Sequence, residues 1–192
     1  MNPLFQPDVF VIKRKKLSTD KLRVCAGNGD FLMYAEQKVK WTKPFTATVK
    51  IWADEEKQQP LLVATDAGGR EYENFMEVKD TATGEVLGGL GLSGGFFTDG
   101  WTIMNTQGES IAEVTSGTGR SIMRTLSNGA IAQKMDVMAG GIKVATMNQK
   151  HKFVGKDLRV EIVPGASAMV DKRLLVAAGV LAAAYLAKED MD

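Results

Sequence analysis

The sequence predicts one mainly β domain, a closed antiparallel barrel of about 12 strands around a central, apolar C-terminal helix. Three observations support this fold class. Segments of β-type residues with two-residue periodicity recur along most of the 192 residues, and glycine-containing turns separate them at short intervals. One long apolar segment follows the last of these strands. No linker-like composition divides the sequence, so residues 1–192 are expected to form a single domain.

The predicted strands alternate apolar and polar side chains, as in 45–52, where Phe45, Ala47, Val49 and Ile51 share one face. In chain order the segments are 9–13, 31–41, 45–52, 61–65, 74–79, 86–92, 101–105, 110–114, 122–125, 130–138, 142–148, 152–154 and 158–163.

Short turns join these strands and favour hairpins. Residues that tolerate a positive φ occur in the segments 28–30, 83–85, 107–109, 128–129 and 140–141, each of which contains glycine. Hairpins repeated in this way indicate an antiparallel meander rather than βαβ units.

A helix is predicted over residues 172–188. Pro164 and Gly165 end the strands, and the carboxylate of Asp171 can accept hydrogen bonds from the free amides of the first helical turn. From Leu174 to Leu186 the segment has no polar stripe, so the helix needs enclosure on every side. Its apolar part, from Leu174 to Ala187, would be about 21 Å long, which is too short for about 30 Å of bilayer hydrocarbon. No transmembrane span is therefore expected.

Barrel geometry can provide this enclosure. Twelve strands about 4.8 Å apart and tilted by about 40° close at a radius of roughly 12 Å, whereas eight strands close at roughly 8 Å. A helix packed about 10 Å from the strands fits only the wider barrel. The alternative is a β-sandwich with the helix on its surface, which would leave half of the apolar helix in water.

Four segments in order carry a resemblance to a known family: 11–15, 78–88, 101–111 and 171–178. With them the chain resembles the phospholipid scramblase and LURP-one-related family, whose domain is similar to the C-terminal domain of tubby proteins. The resemblance extends from about residue 9 to residue 187, and it implies a twelve-stranded barrel around a central helix. The compact length resembles that of prokaryotic members.

The same resemblance implies several lipid-related functions. Tubby-type domains bind phosphoinositide head groups, scramblases are linked to lipid movement, and LURP-one-related proteins are linked to plant defence. This sequence lacks the proline-rich N-terminal region, the cysteine cluster for acylation and the alternating aspartates for calcium of eukaryotic scramblases. Calcium-triggered scrambling and lipid anchoring are therefore not expected.

Charge is unevenly distributed although the formal net charge is only +1. Residues 1–50 hold 10 basic and 4 acidic side chains, and residues 51–192 hold 14 and 19. The densest basic segment is Lys13-Arg14-Lys15-Lys16. It is predicted to bind an anionic head group, since each lysine near an anionic surface contributes about 1 kcal/mol. The alternative is a set of solvated side chains that protect a strand edge. Without interleaved aromatics this cluster does not predict nucleic-acid binding.

Other residues offer little for catalysis or metal binding. The single cysteine, Cys25, and the single histidine, His151, exclude an internal disulfide and a multi-histidine metal centre. No nucleophile–base–orienter set can be assembled, so neither an enzyme nor a cofactor is expected. The glycine-rich segment 88–95 lacks the Lys-Ser/Thr ending of a phosphate loop and is predicted to ease strand curvature or to form a flexible hairpin. The acidic segment 54–56 is predicted to be a solvated turn.

Two functional hypotheses follow. In the first, a non-enzymatic cytoplasmic barrel binds anionic phospholipid or phosphoinositide head groups, at the periphery of a membrane, through its basic N-terminal strand. In the second, the protein is a cytosolic interaction or scaffold protein whose partner is another protein.

Overall fold

The computed structural model describes residues 2–14, 18, 20–40, 46–67, 74–92, 101–116, 134–151 and 156–188. Within them lie the strands β1 (Val9–Arg14), β2 (Lys21–Ala26), β3 (Phe31–Lys40), β4 (Thr46–Trp52), β5 (Pro60–Asp66), β6 (Asn74–Asp80), β7 (Val86–Leu92), β8 (Trp101–Met104), β9 (Ser110–Ser116), β10 (Lys134–Ala139), β11 (Ile142–His151) and β12 (Lys156–Ile162). The helix α1 spans Lys172–Lys188, and two short 3₁₀ helices span Pro3–Phe5 and Ala166–Ala168.

The strands form a closed barrel in which each strand pairs antiparallel with its neighbours in sequence. Pairing of β1 with β12, in the register Phe10 opposite Val160, closes the circle. Closure leaves no unpaired sheet edge, which is the usual solution for a sheet that must enclose a core. The predicted fold class is confirmed.

The predicted strand set needs one correction. It omits β2, although Leu22 and Val24 are buried there and alternate with the exposed Lys21 and Arg23. This strand is short, and its two-residue alternation covers only Lys21–Val24, because Val24, Cys25 and Ala26 are consecutive apolar residues and the register shifts between Val24 and Cys25. The predicted segments 122–125 and 152–154 lie outside the described residues.

The helix α1 has the predicted bounds and fills the barrel. Leu175, Val176, Val180 and Leu181 each have 0% of their surface exposed. These side chains pack in one cluster with the inward-facing residues of the strands, such as Phe10. Burial of the helix on every side therefore accounts for its lack of a polar stripe.

A glycine allows the helix to approach the wall closely. A Cβ added at Gly179 would lie 2.8 Å from Val160 Cγ2 and 2.9 Å from Ile12 Cδ1. The helix consequently packs tightly against β1 and β12, the two strands that close the barrel.

The start of α1 is capped as predicted. Asp171 Oδ1 accepts a hydrogen bond from the Arg173 backbone amide at 2.8 Å. Lys172 Nζ donates to Gln6 O at 2.7 Å and lies 2.6 Å from Asp8 Oδ1. These contacts hold the N-terminal segment, whose Phe5 is buried, against the start of the helix.

Candidate functional site

The first two residues of the predicted basic cluster lie on opposite sides of β1. Phe10 and Ile12 are buried inside the barrel, so alternation places Lys13 on the outer surface. Arg14 is half-buried and pairs in register with Leu22, a residue of the interior face. Lys15 and Lys16 lie outside the described residues. Of the two described residues of this cluster, the structure therefore places Lys13, and not Arg14, on the outer surface of β1.

Two basic side chains from other strands join Lys13. Lys150 on β11 and Arg159 on β12 line the same outer cleft of about 210 Å³. Because β12 pairs with both β1 and β11, Arg159 lies opposite Val11 on one side and opposite Asn148 on the other. We call Lys13, Lys150 and Arg159 the basic groove.

Carboxylates offset part of the charge of the basic groove. Asp157 also lines the cleft and lies opposite Lys150 in register. Arg159 Nε lies 2.6 Å from Glu161 Oε1, in a partly exposed ion pair. The three cations and two carboxylates leave one positive charge in excess. The cleft also borders the β2–β3 turn at Gly27, Asn28 and Gly29.

A second, larger cleft of about 440 Å³ lies on the other side of Lys13. Arg23 forms a hydrogen-bonded ion pair there with Glu55. The hydrogen bond to the Glu55 carboxylate raises the pKa of the arginine. Cys25 is buried beside this cleft, and Phe31 is 43% exposed at its border. Three carboxylates and the cations Lys13 and Arg23 line this cleft, which leaves one negative charge in excess, in contrast to the basic groove.

The acidic segment 54–56 forms a turn, as predicted. Asp54 accepts hydrogen bonds from the backbone amides of Gln58 and Gln59, both at 2.9 Å. The bond from Gln58 is the largest cause of the lowered pKa of Asp54. Asp54 therefore shapes the β4–β5 loop. Among the described residues, no three His, Cys, Asp or Glu side chains are grouped to hold a metal ion.

The glycine-rich segment lies in a strand where the structure describes it. Gly88 and Gly89 belong to β7, and a Cβ on Gly88 would lie 2.1 Å from Met104 O on β8. These glycines allow close strand approach, in agreement with the predicted structural role. The described helix is not long and apolar enough to cross a membrane.

The sequence pattern alone does not single out Lys150 and Arg159. They are far from Lys13 along the chain, and no short motif links the three residues. The available signal is strand alternation, which places Lys150 on the face of Asn148 and Arg159 on the face of Glu161. The β11–β12 pair brings Lys150 and Arg159 together, and the closing pair β1–β12 adds Lys13.

Comparison with known proteins adds support for the fold. No protein-family model and no curated protein matches the chain. Among solved structures, it is similar to the X-ray structure of a protein from Arabidopsis thaliana, with 14% sequence identity and a TM-score of 0.52. The match covers 90% of this chain and 87% of the Arabidopsis chain. At this identity the similarity concerns the fold alone.

Proposed function

We propose that this protein is a non-enzymatic, tubby-like barrel of the scramblase and LURP-one-related type that binds anionic phospholipid head groups in the cytoplasm, at the membrane periphery. The basic groove is the proposed contact surface. The family assignment rests on the four ordered segments of the sequence and agrees with the twelve-stranded barrel around α1.

The observation that carries this proposal is the convergence of Lys13, Lys150 and Arg159 from three adjacent strands on one cleft. Strands hold their side chains at fixed spacing, so the three cations are positioned before a ligand arrives. A phosphate oxygen can accept hydrogen bonds from both lysines and from the arginine fork. With one positive charge in excess, the expected binding is weak and sensitive to salt.

Co-sedimentation with vesicles tests the proposal. Vesicles of phosphatidylcholine alone are compared with vesicles that also contain phosphatidylserine or a phosphoinositide, at low and at high salt. We expect retention on the anionic vesicles only, and loss of retention at high salt. Competition by inorganic phosphate distinguishes recognition of a phosphate group from attraction to the whole charged surface.

Charge-removing variants locate the contact. Lys13→Gln, Lys150→Gln and Arg159→Gln should each weaken retention about fivefold, since one cation near an anionic surface contributes about 1 kcal/mol. Lys79→Gln on β6, across the barrel, removes the same charge and should leave retention unchanged. Equal, negligible retention on neutral and anionic vesicles would show that the proposal is wrong.

A protein-interaction role is the second candidate. The larger cleft favours it because the exposed Phe31 lies beside the acidic residues Asp54, Glu55 and Glu56. A basic partner segment with an apolar residue would complement that surface. Loss of a cross-linked partner in the Phe31→Ser variant, with vesicle retention unchanged, would assign this role to the cleft.

A further inference from the structure

The β4–β5 loop places the ammonium group of Lys57 against two aromatic rings and a carboxylate on the outer surface. Lys57 Nζ lies 5.6 Å from the ring centroid of Trp52 and 5.9 Å from that of Tyr34. It also lies 2.6 Å from Glu36 Oε1. Both rings are within the distance at which a cation is attracted to an aromatic face.

The strands fix the three groups that surround this ammonium. Tyr34 and Glu36 are two residues apart on β3 and so share a face, and Trp52 on β4 lies opposite Tyr34 in register. The two ring centroids are 6.0 Å apart with an interplanar angle of 33°. We call Tyr34, Glu36 and Trp52 the ammonium box.

Hydrogen bonding keeps the carboxylate of the box charged. Tyr34 Oη donates to Glu36 Oε1 at 2.8 Å, and this oxygen also faces Lys57 Nζ. Burial opposes ionisation of Glu36, but the hydrogen bonds from Lys57 and Tyr34, together with the charges of Lys57 and Lys21, lower the pKa of the carboxyl. One negative charge beside two ring faces is the combination that proteins use to recognise ammonium groups.

The loop takes its shape from Asp54 rather than from the Lys57 side chain. Besides the two bonds accepted by the Asp54 carboxylate, Ala53 N donates to Gln59 O at 2.9 Å. Lys57 itself has a φ of 62°, a left-handed conformation that glycine adopts with less strain. The left-handed backbone of Lys57 therefore carries a conformational free-energy cost. The Lys57 side chain occupies the ammonium box as a ligand would.

We infer that the ammonium box binds the primary ammonium group of an external alkylamine and that Lys57 occupies it as a tethered competitor. A primary ammonium fits better than a quaternary one, because Glu36 Oε1 lies at hydrogen-bond distance from the nitrogen and needs an N–H donor. An external amine binds only in the fraction of molecules whose Lys57 is withdrawn. This site on β3 and β4 is separate from the basic groove.

Titration of the folded full chain with n-butylammonium chloride at constant ionic strength, followed by tryptophan fluorescence, tests this inference. Lys57→Gly removes the competitor and suits the left-handed backbone, so the half-saturating concentration should fall about tenfold relative to the unmodified protein. Tetramethylammonium chloride should bind this variant more weakly. In the Lys57→Gly background, Trp52→Phe should abolish the fluorescence response to n-butylammonium. In the same background, Glu36→Gln should weaken binding of the amine.

Lys79→Ala is the matched control, since Lys79 Nζ forms an ion pair of the same 2.6 Å length with Glu77 on β6. If Lys57→Gly keeps its circular dichroism spectrum but responds no better than Lys79→Ala, the inference is wrong. Tighter binding of tetramethylammonium would overturn the preference for a primary ammonium. Should Lys57→Gly not fold, Lys57→Asn, which also tolerates a left-handed φ, replaces it under the same criteria.

Discussion

Arg173 on the first turn of α1 and Asp80 at the end of β6 form an ion pair, with 2.8 Å between Nη1 and Oδ2, although 93 positions separate them. Their side chains are only 17% and 18% exposed. Arg173 Nη2 also lies 2.7 Å from Asp171 Oδ2, and Asp80 Oδ1 accepts from the Ala82 amide at 2.9 Å. The pair therefore joins the helix cap to the β6–β7 hairpin.

Breaking this pair should destabilise the fold. Arg173→Met and Asp80→Asn should each lower the free energy of unfolding by about 2 kcal/mol, because the remaining partner stays largely buried. In urea unfolding, the double variant should lose less than the sum of the two single losses.

Arg23→Met is a matched control for the loss of an arginine ion pair. The Arg23 side chain is 49% exposed in its pair with Glu55, so its removal should cost less than about 1 kcal/mol. Equal losses for Arg23→Met and Arg173→Met would contradict a special role for the Arg173–Asp80 pair.

Protonation of the Asp80 carboxylate should lower the free energy of unfolding at acid pH. Burial opposes ionisation of Asp80, but hydrogen bonds from Arg173 and from the turn amides lower its pKa below the ordinary value of 3.8. The folded state therefore binds this proton less readily than the unfolded state. The contribution of Asp80 is complete above the ordinary pKa and is lost as pH falls through the lower, folded value.

The measurement is the melting temperature as a function of pH. Between pH 5 and pH 3, roughly the range in which unfolded carboxyls titrate, the melting temperature of the unmodified protein should fall. At pH 7, Asp80→Asn should melt at a lower temperature than the unmodified protein. Its melting temperature should fall by fewer degrees between pH 5 and pH 3. Parallel curves for the two proteins would rule out a contribution from Asp80.

A charge in the helix should prevent folding. Val180 has none of its surface exposed, and the barrel surrounds it, so Val180→Asp would bury a carboxylate without a partner. We expect no cooperative thermal transition for this variant. Val180→Ala, which leaves only a small cavity, should fold with a loss of about 1–3 kcal/mol. Normal melting of Val180→Asp would contradict burial of the helix.

The architecture was predictable because its main signals are local. The apolar segment from Leu174 to Leu186, the cap at Asp171 and the glycine-containing turns each occupy a few consecutive residues. The short β2 was harder to detect, because its alternation of apolar and charged residues ends at Val24, where the register shifts.

The candidate sites were less accessible from sequence. Alternation along β1 is sufficient to separate Lys13 from Arg14, but the partners of Lys13 depend on which strands close the barrel. Lys57 carries no sequence signal for its position, because its left-handed backbone is set by hydrogen bonds to Asp54. To predict a site built from distant strands, one must therefore know the pairing register of the strands as well as their apolar–polar pattern.

The outer surface of β7 offers a test of close packing between a ring and a glycine. A Cβ on Gly89 would lie 2.3 Å from both Cε2 and Cζ of Phe75, which is only 3% exposed on β6, and 2.9 Å from Met76 O. Gly89→Ala should therefore cost about 1–3 kcal/mol, because the ring must move from a packed position.

Phe75→Ala removes the ring and should itself be destabilising through lost burial. In the double variant the added methyl group occupies part of the space that the ring has left, so urea unfolding should show a combined loss smaller than the sum by at least about 1 kcal/mol. Gly84→Ala is the control for backbone strain alone, since Gly84 has a φ of 72° and no atom within 4 Å of an added Cβ. The free energy of unfolding lost in Gly84→Ala should be the same with and without Phe75→Ala. If the losses of Gly89→Ala and Phe75→Ala also add strictly, the ring does not restrict position 89.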